Sequence, residues 1–217
     1  MRTAVHIGLI MAIGLGLGLA IRMVKAPATD EPDATRVVYT NAPQASLPEA
    51  AAQDEPAIAP EGWMSEFELT ERSGKQVTSD ELKGSPYVVS FFFSTCPSIC
   101  IQQNQKVQEL QSMFMDEGVR FVSISVDPKT DDPATLREYA ARFDADDDQW
   151  LFMTGDLDYI RRVGAEVFRL AVDEKFHTEK FVLVGKQGEI IGYYTWPEKR
   201  QYEQLQTDIR KLLDTPS

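Results

Sequence analysis

Two cysteines and two histidines are the only thiol and imidazole donors in the 217-residue chain. The cysteines stand together in Phe93-Ser94-Thr95-Cys96-Pro97-Ser98-Ile99-Cys100, while His6 falls in an N-terminal apolar run, which leaves His177 as the imidazole of the remaining chain. On a helix, the i, i+4 spacing of Cys96 and Cys100 puts both sulfurs on one face with β-carbons about 5–6 Å apart. From there a small shift either closes a disulfide or admits a shared metal ion. If the pair opens a helix, free amides and the helix dipole stabilise thiolate at the first cysteine. Pro97 suits such a first turn, where its missing N–H costs nothing. Oxidoreductases of the usual dithiol type place two residues between their cysteines; the three here weaken that reading without removing it. A disulfide that merely staples an exported domain is the competing use. The loop between the cysteines is too short to restrain much chain, and the segment before it aims the pair at a functional edge.

That segment, Tyr87 to Phe93, is a continuous apolar run of the kind a buried central strand shows. A helix from about Ser98 to Met115 follows, then a second buried strand, Phe121 to Val126. Asp132-Pro133 opens a helix ending near Phe143, with proline in its first turn. Trp150 to Met153 reads as a strand and Leu157 to Phe168 as a helix. Lys180 to Val184 and Glu189 to Tyr194 read as strands across the Lys186-Gln187-Gly188 turn, and Glu198 to Leu213 as the closing helix. Phe67 to Thr70 and Gln76 to Thr78, across Gly74, form a first hairpin. The order predicts an α/β domain over 63–217, a central mixed sheet flanked by helices.

In a thioredoxin-like arrangement of these elements, the loop before Lys180 to Val184 faces the helix that carries the dithiol. His177 lies in that loop and would complete a site of two sulfurs and one nitrogen. Such a set suits copper better than zinc. Structural zinc takes four protein ligands, whereas thiolates select Cu(I), and thiolate with imidazole also holds Cu(II). Copper needs both cysteines reduced, so loading would be linked to the thiol–disulfide state.

Several segments together resemble the Sco/SenC family: Phe93 to Cys100, Ser123-Ile124-Ser125-Val126-Asp127-Pro128, Asp132 to Phe143, Met153-Thr154-Gly155, and His177 before Phe181-Val182-Leu183-Val184. The resemblance runs from about Phe67 to Leu213. It implies a thioredoxin-like fold, copper ligands at Cys96, Cys100 and His177, and delivery of copper to the binuclear centre of cytochrome c oxidase subunit II or another copper-receiving protein. Thiol–disulfide exchange with a partner's cysteines is implied as a related activity and is the alternative function. Asp127 matches the family's Val-Asp-Pro segment and is a candidate residue behind the ligands, although an Asp before Pro is equally a turn or cap residue. Two positions depart from the pattern: Ser98 and Phe176 stand where family members commonly have Asp. A peroxidase of the peroxiredoxin type would carry Thr at the position held by Phe93.

The remaining chain bears on location. Ala4 to Ile21 is uncharged and flanked by Arg2, Arg22 and Lys25; as a helix it would reach about 27 Å, close to the hydrocarbon thickness. Residues 1–25 are therefore expected to form a membrane anchor. A signal peptide is the alternative, since Ala26-Pro27-Ala28 offers small residues, but the run is long for a signal core. Residues 26–62, rich in Ala, Pro, Asp and Glu, read as a linker. With the acidic mass after the span, the expected setting is a bacterial inner membrane with the domain facing the periplasm. A formal net charge of −12 argues against nucleic acid as a partner, because that surface rewards clustered Lys and Arg.

Overall fold

Seven strands build one sheet in the computed structural model, which describes residues 62–215. They are β1 (Glu68–Glu71), β2 (Gln76–Thr78), β3 (Tyr87–Phe92), β4 (Arg120–Ser125), β5 (Trp150–Thr154), β6 (Lys180–Val184) and β7 (Ile190–Thr195). Their order is β2-β1-β5-β4-β3-β6-β7. The expected anchor at 1–25, and the linker apart from Gly62, lie outside the described residues. Among the described residues no helix is long and apolar enough to cross a membrane.

The sheet is mixed, as the sequence leads one to expect. β3 runs parallel to β4, and β4 to β5, whereas β6 pairs antiparallel with β3 and β7 antiparallel with β6. All six residues of β3 are buried, because this central strand is covered on both faces and its side chains alternate between two cores. Val88 and Phe92 join the core under α1 (Ile99–Met113), α2 (Pro133–Ala141) and α4 (Lys199–Asp214), with Leu110, Tyr139 and Leu205 as typical partners. Tyr87, Val89 and Phe91 face the other core, closed by α3 (Leu157–Arg162) and by Phe67, Leu82 and Phe168.

Two helices have a readable start. Asp132 caps α2 by accepting the Thr135 amide at 2.7 Å, with Pro133 in the first turn; Asp156 does the same for α3 through the Tyr159 amide. One helix differs from expectation. The segment read as a single helix from Leu157 to Phe168 is α-helical only to Arg162, and Val163–Val167 is a π turn. Gly164 accounts for this: Val172 and the Leu170 carbonyl press against its backbone, where a β-carbon would sit 2.6 Å from Val172 Cγ2. The wider turn closes with the Phe168 amide on the Val163 carbonyl at 3.2 Å, and Phe168 is buried.

Candidate functional site

β3 delivers its chain directly into the dithiol. After Phe92 the backbone turns, with the Cys96 amide donating to the Phe93 carbonyl at 3.2 Å, and α1 begins at Ile99. Ser98, the residue before that first turn, makes no side-chain cap bond. The Cys100 amide instead donates to Cys96 Sγ at 3.5 Å, so a sulfur stands where a capping oxygen would. Both cysteines are free thiols and both are buried.

The two thiols differ sharply in acidity. Burial pushes Cys96 up, but hydrogen bonds, chiefly those from the Cys100 and Ser98 amides and with the Ile99 amide adding to them, outweigh it and leave Cys96 below its ordinary value. Cys100 is pushed up to about 12, chiefly by burial, with the proximity of Cys96 and of Asp131 adding to the effect. Cys96 is therefore the more readily ionised thiol of the pair, and Cys100 is a neutral thiol at physiological pH.

His177 reaches the dithiol through the sheet. β6 lies antiparallel beside β3, so the end of one strand and the start of the other share one edge, and His177 precedes β6 by three residues. Its Nε2 stands 3.2 Å from Cys100 Sγ, and its Nδ1 stands 3.1 Å from the Thr178 carbonyl oxygen. A carbonyl can only accept, so Nδ1 carries the proton and the Nε2 lone pair points at sulfur. Burial holds the imidazole below its ordinary pKa, against the opposing pull of the Thr178 carbonyl and Glu179. The Phe93 ring packs edge-on to it at 6.1 Å between centroids.

The structure thus joins Cys100 to His177 and Cys96 to Cys100. Among the described residues no group of three or more His, Cys, Asp or Glu side chains is assembled closely enough to hold a metal ion. The three donors are neighbours in pairs rather than a finished triad.

Asp127 is buried but does not touch the donors. Its amide donates to Ser125 Oγ at 3.0 Å, and its Oδ2 lies 3.4 Å from Lys175 Nζ, on the segment that carries His177. Ser98 and Phe176, the two departures, are both exposed, Ser98 at the entrance to α1 and Phe176 next to His177. Asp131 was not legible in the sequence. Fully buried, it accepts the Ser94 amide at 3.0 Å and hydrogen bonds from the hydroxyls of Ser94 and Ser125, and so fixes the turn that leads to Cys96. Its place four residues after Asp127 in Asp127-Pro128-Lys129-Thr130-Asp131 was the available signal; adjacent Asp132, an obvious helix cap, obscured it. Beneath the dithiol, Asn104 donates to the Tyr139 hydroxyl at 3.1 Å within the same core.

A buried pair of unequal thiols at a strand-to-helix junction, faced by a neutral imidazole, defines a thioredoxin-like thiol domain. The SCO1/SenC family model matches residues 56–214, and the chain belongs to that family. The SCO1 protein homolog of Bacillus subtilis is 30% identical over 153 residues, covering 66% of this chain and 79% of that protein. BsSco, a member of the Sco family of cytochrome c oxidase assembly proteins in which a disulfide switch was identified, superposes with a TM-score of 0.64 at 28% identity, covering 72% of this chain and 97% of BsSco. ScoI of Bradyrhizobium japonicum, solved with copper bound, gives 0.58 at 28% identity over 72% of this chain and 99% of its own.

Proposed function

We propose that this chain is a membrane-tethered copper chaperone that holds copper through Cys96, Cys100 and His177 and passes it to the binuclear copper site of cytochrome c oxidase subunit II. The observation that carries this reading is the Cys100–His177 contact at 3.2 Å with the Nε2 lone pair aimed at sulfur. An imidazole so fixed by its Nδ1–H is prepared to bind metal. The copper-bound relative and the oxidase-assembly role of BsSco support the cargo and the destination. The uncharged run from Ala4 to Ile21 supports anchorage at residues 1–25, with the domain on the periplasmic side of a bacterial inner membrane.

Chemically, loading displaces both thiol protons to solvent. Cys96 gives up its proton readily, whereas Cys100 does so only because a thiolate bound to a cation no longer bears the full cost of burial.

The difference in acidity favours a second reading. Cys96 could attack a partner's disulfide, forming a mixed disulfide; Cys100 would then lose its proton and displace the partner, leaving Cys96–Cys100 oxidised and the partner reduced. An anaerobic Cu(I) titration of the reduced 217-residue chain, repeated with His177→Ala and Cys100→Ser, separates the two. The chaperone reading expects a 1:1 complex weakened strongly by either substitution. No stoichiometric copper, together with unimpaired disulfide exchange in His177→Ala, would sink it.

A further inference from the structure

Two buried carboxylates four residues apart grip both arms of the site from one segment. Asp131, with no exposed surface, holds Ser94, two residues before Cys96, through the Ser94 amide at 3.0 Å and its hydroxyl. Asp127, 1% exposed, faces Lys175, two residues before His177, with Oδ2 3.4 Å from Nζ. The main chain adds to the second grip, since the Lys175 amide donates to the Val126 carbonyl at 3.2 Å. Lys129 and Glu174 pair at 3.1 Å beside it.

The arm that Lys175 holds is a single closed turn. Asp173 and Phe176 exchange both backbone hydrogen bonds at 2.9 Å, closing a tight turn in which Lys175 has φ +55°. A non-glycine residue in that left-handed region is retained where its surroundings fix it. Here the fixing contacts are the Val126 carbonyl and the Asp127 carboxylate, and the next residue but one is His177. Asp127 Oδ2 has no hydrogen-bond partner, so this buried charge depends on the ammonium of Lys175.

We infer that the Ser125–Asp131 segment is a clamp that sets the separation of the thiol and imidazole arms, and that Lys175 is the positioning residue for His177. The inference rests on the copper reading only for its consequence. The clamp itself is a property of the metal-free protein. Serving both arms from one short segment fixes their mutual distance more tightly than two independent anchors would, because motion of the segment carries both arms together.

The test uses Lys175→Met and Lys175→Arg in the reduced 217-residue chain. Two readouts are taken: the imidazole ¹⁵N resonances of His177 without metal, and Cu(I) affinity by competition with a chelator. In Lys175→Met the Nε2 resonance loses the shift due to its Cys100 hydrogen bond, and Cu(I) affinity falls about tenfold, in the range seen when a residue orienting a metal ligand is removed. Lys175→Arg restores both. An unchanged His177 resonance in Lys175→Met, with reduced thermal stability alone, would show that Lys175 only neutralises Asp127 and would overturn the inference. Failure of Lys175→Arg to restore the resonance would overturn it equally. Should the unsubstituted chain take up no copper, the functional reading fails while the metal-free resonance still decides the clamp.

Discussion

Cys100 Sγ lies 3.2 Å from Nε2 of His177, a residue 77 positions further along the chain. The proton between them belongs to sulfur, since Cys100 is pushed up to about 12 and Nδ1 of His177 donates to the Thr178 carbonyl. The contact holds an imidazole lone pair and a protonated thiol side by side, both neutral.

The unequal thiols should react in order. At about pH 8 a limiting amount of iodoacetamide labels Cys96, the thiol held below its ordinary value, and spares Cys100 until the protein is unfolded. Peptide mass spectrometry across a pH series reads this directly. Preferential labelling of Cys100 in the folded chain would refute Cys96 as the more acidic thiol.

Protonation of His177 should weaken the metal-free fold. Its pKa in the fold lies below the ordinary 6.5, so between that lowered value and about 6.5 the unfolded chain binds more protons than the folded one. Stability therefore falls as pH drops through this window and is unaffected by this group above it. Urea unfolding at several pH values should show the fall in the unsubstituted chain and a flatter profile in His177→Gln.

Asp131→Ala should cost about 2–4 kcal/mol in urea unfolding, because it leaves the Ser94 amide and the hydroxyls of Ser94 and Ser125 buried without their acceptor. Asp131→Asn, which keeps one carbonyl oxygen, should cost less. Equal losses in the two variants would mean that charge, rather than hydrogen bonding, is what the turn before Cys96 requires.

Gly164→Val tests the π turn. Its β-carbon would meet Val172 Cγ2 at 2.6 Å and the Leu170 carbonyl at 3.0 Å, an overpacking expected to lower stability by about 1–3 kcal/mol. Gly188→Ala, at a hairpin position with φ +90°, offers a comparison in which strain comes from the backbone rather than from crowding. Thermal unfolding of both variants would separate the two sources.

What the sequence made legible was local. The run Tyr87 to Phe93 had to be a buried strand because almost nothing in it favours water, and Asp132-Pro133 had to open a helix because both residues satisfy or dispense with a first-turn amide. The dithiol's place followed from the first of these habits. Asp131 leaves no local mark in the sequence, because its role lies in hydrogen bonds to Ser94, 37 residues away, and no periodicity encodes a long-range hydrogen bond. The π turn leaves no mark either, because hydrophobic spacing continues through it, while the crowding at Gly164 arises only when Val172 folds back. The strand order, with β1 beside β5 rather than β3, is likewise a tertiary outcome. For Asp127, family resemblance marked the residue, and its ion pair with Lys175 supplies a physical role.

The antiparallel docking of β6 on β3 also orders events in time. A chain synthesised from its N-terminus releases Cys96 and Cys100 long before Lys180–Val184 exists, so newborn thiols stand without their imidazole. The sheet pairings that synthesis makes possible last, β6 on β3 and β7 on β6, are the ones that bring His177 to the sulfurs. The Cys100–His177 contact therefore waits on the last-made strands, and oxidants that arrive before them would meet the dithiol without its imidazole neighbour.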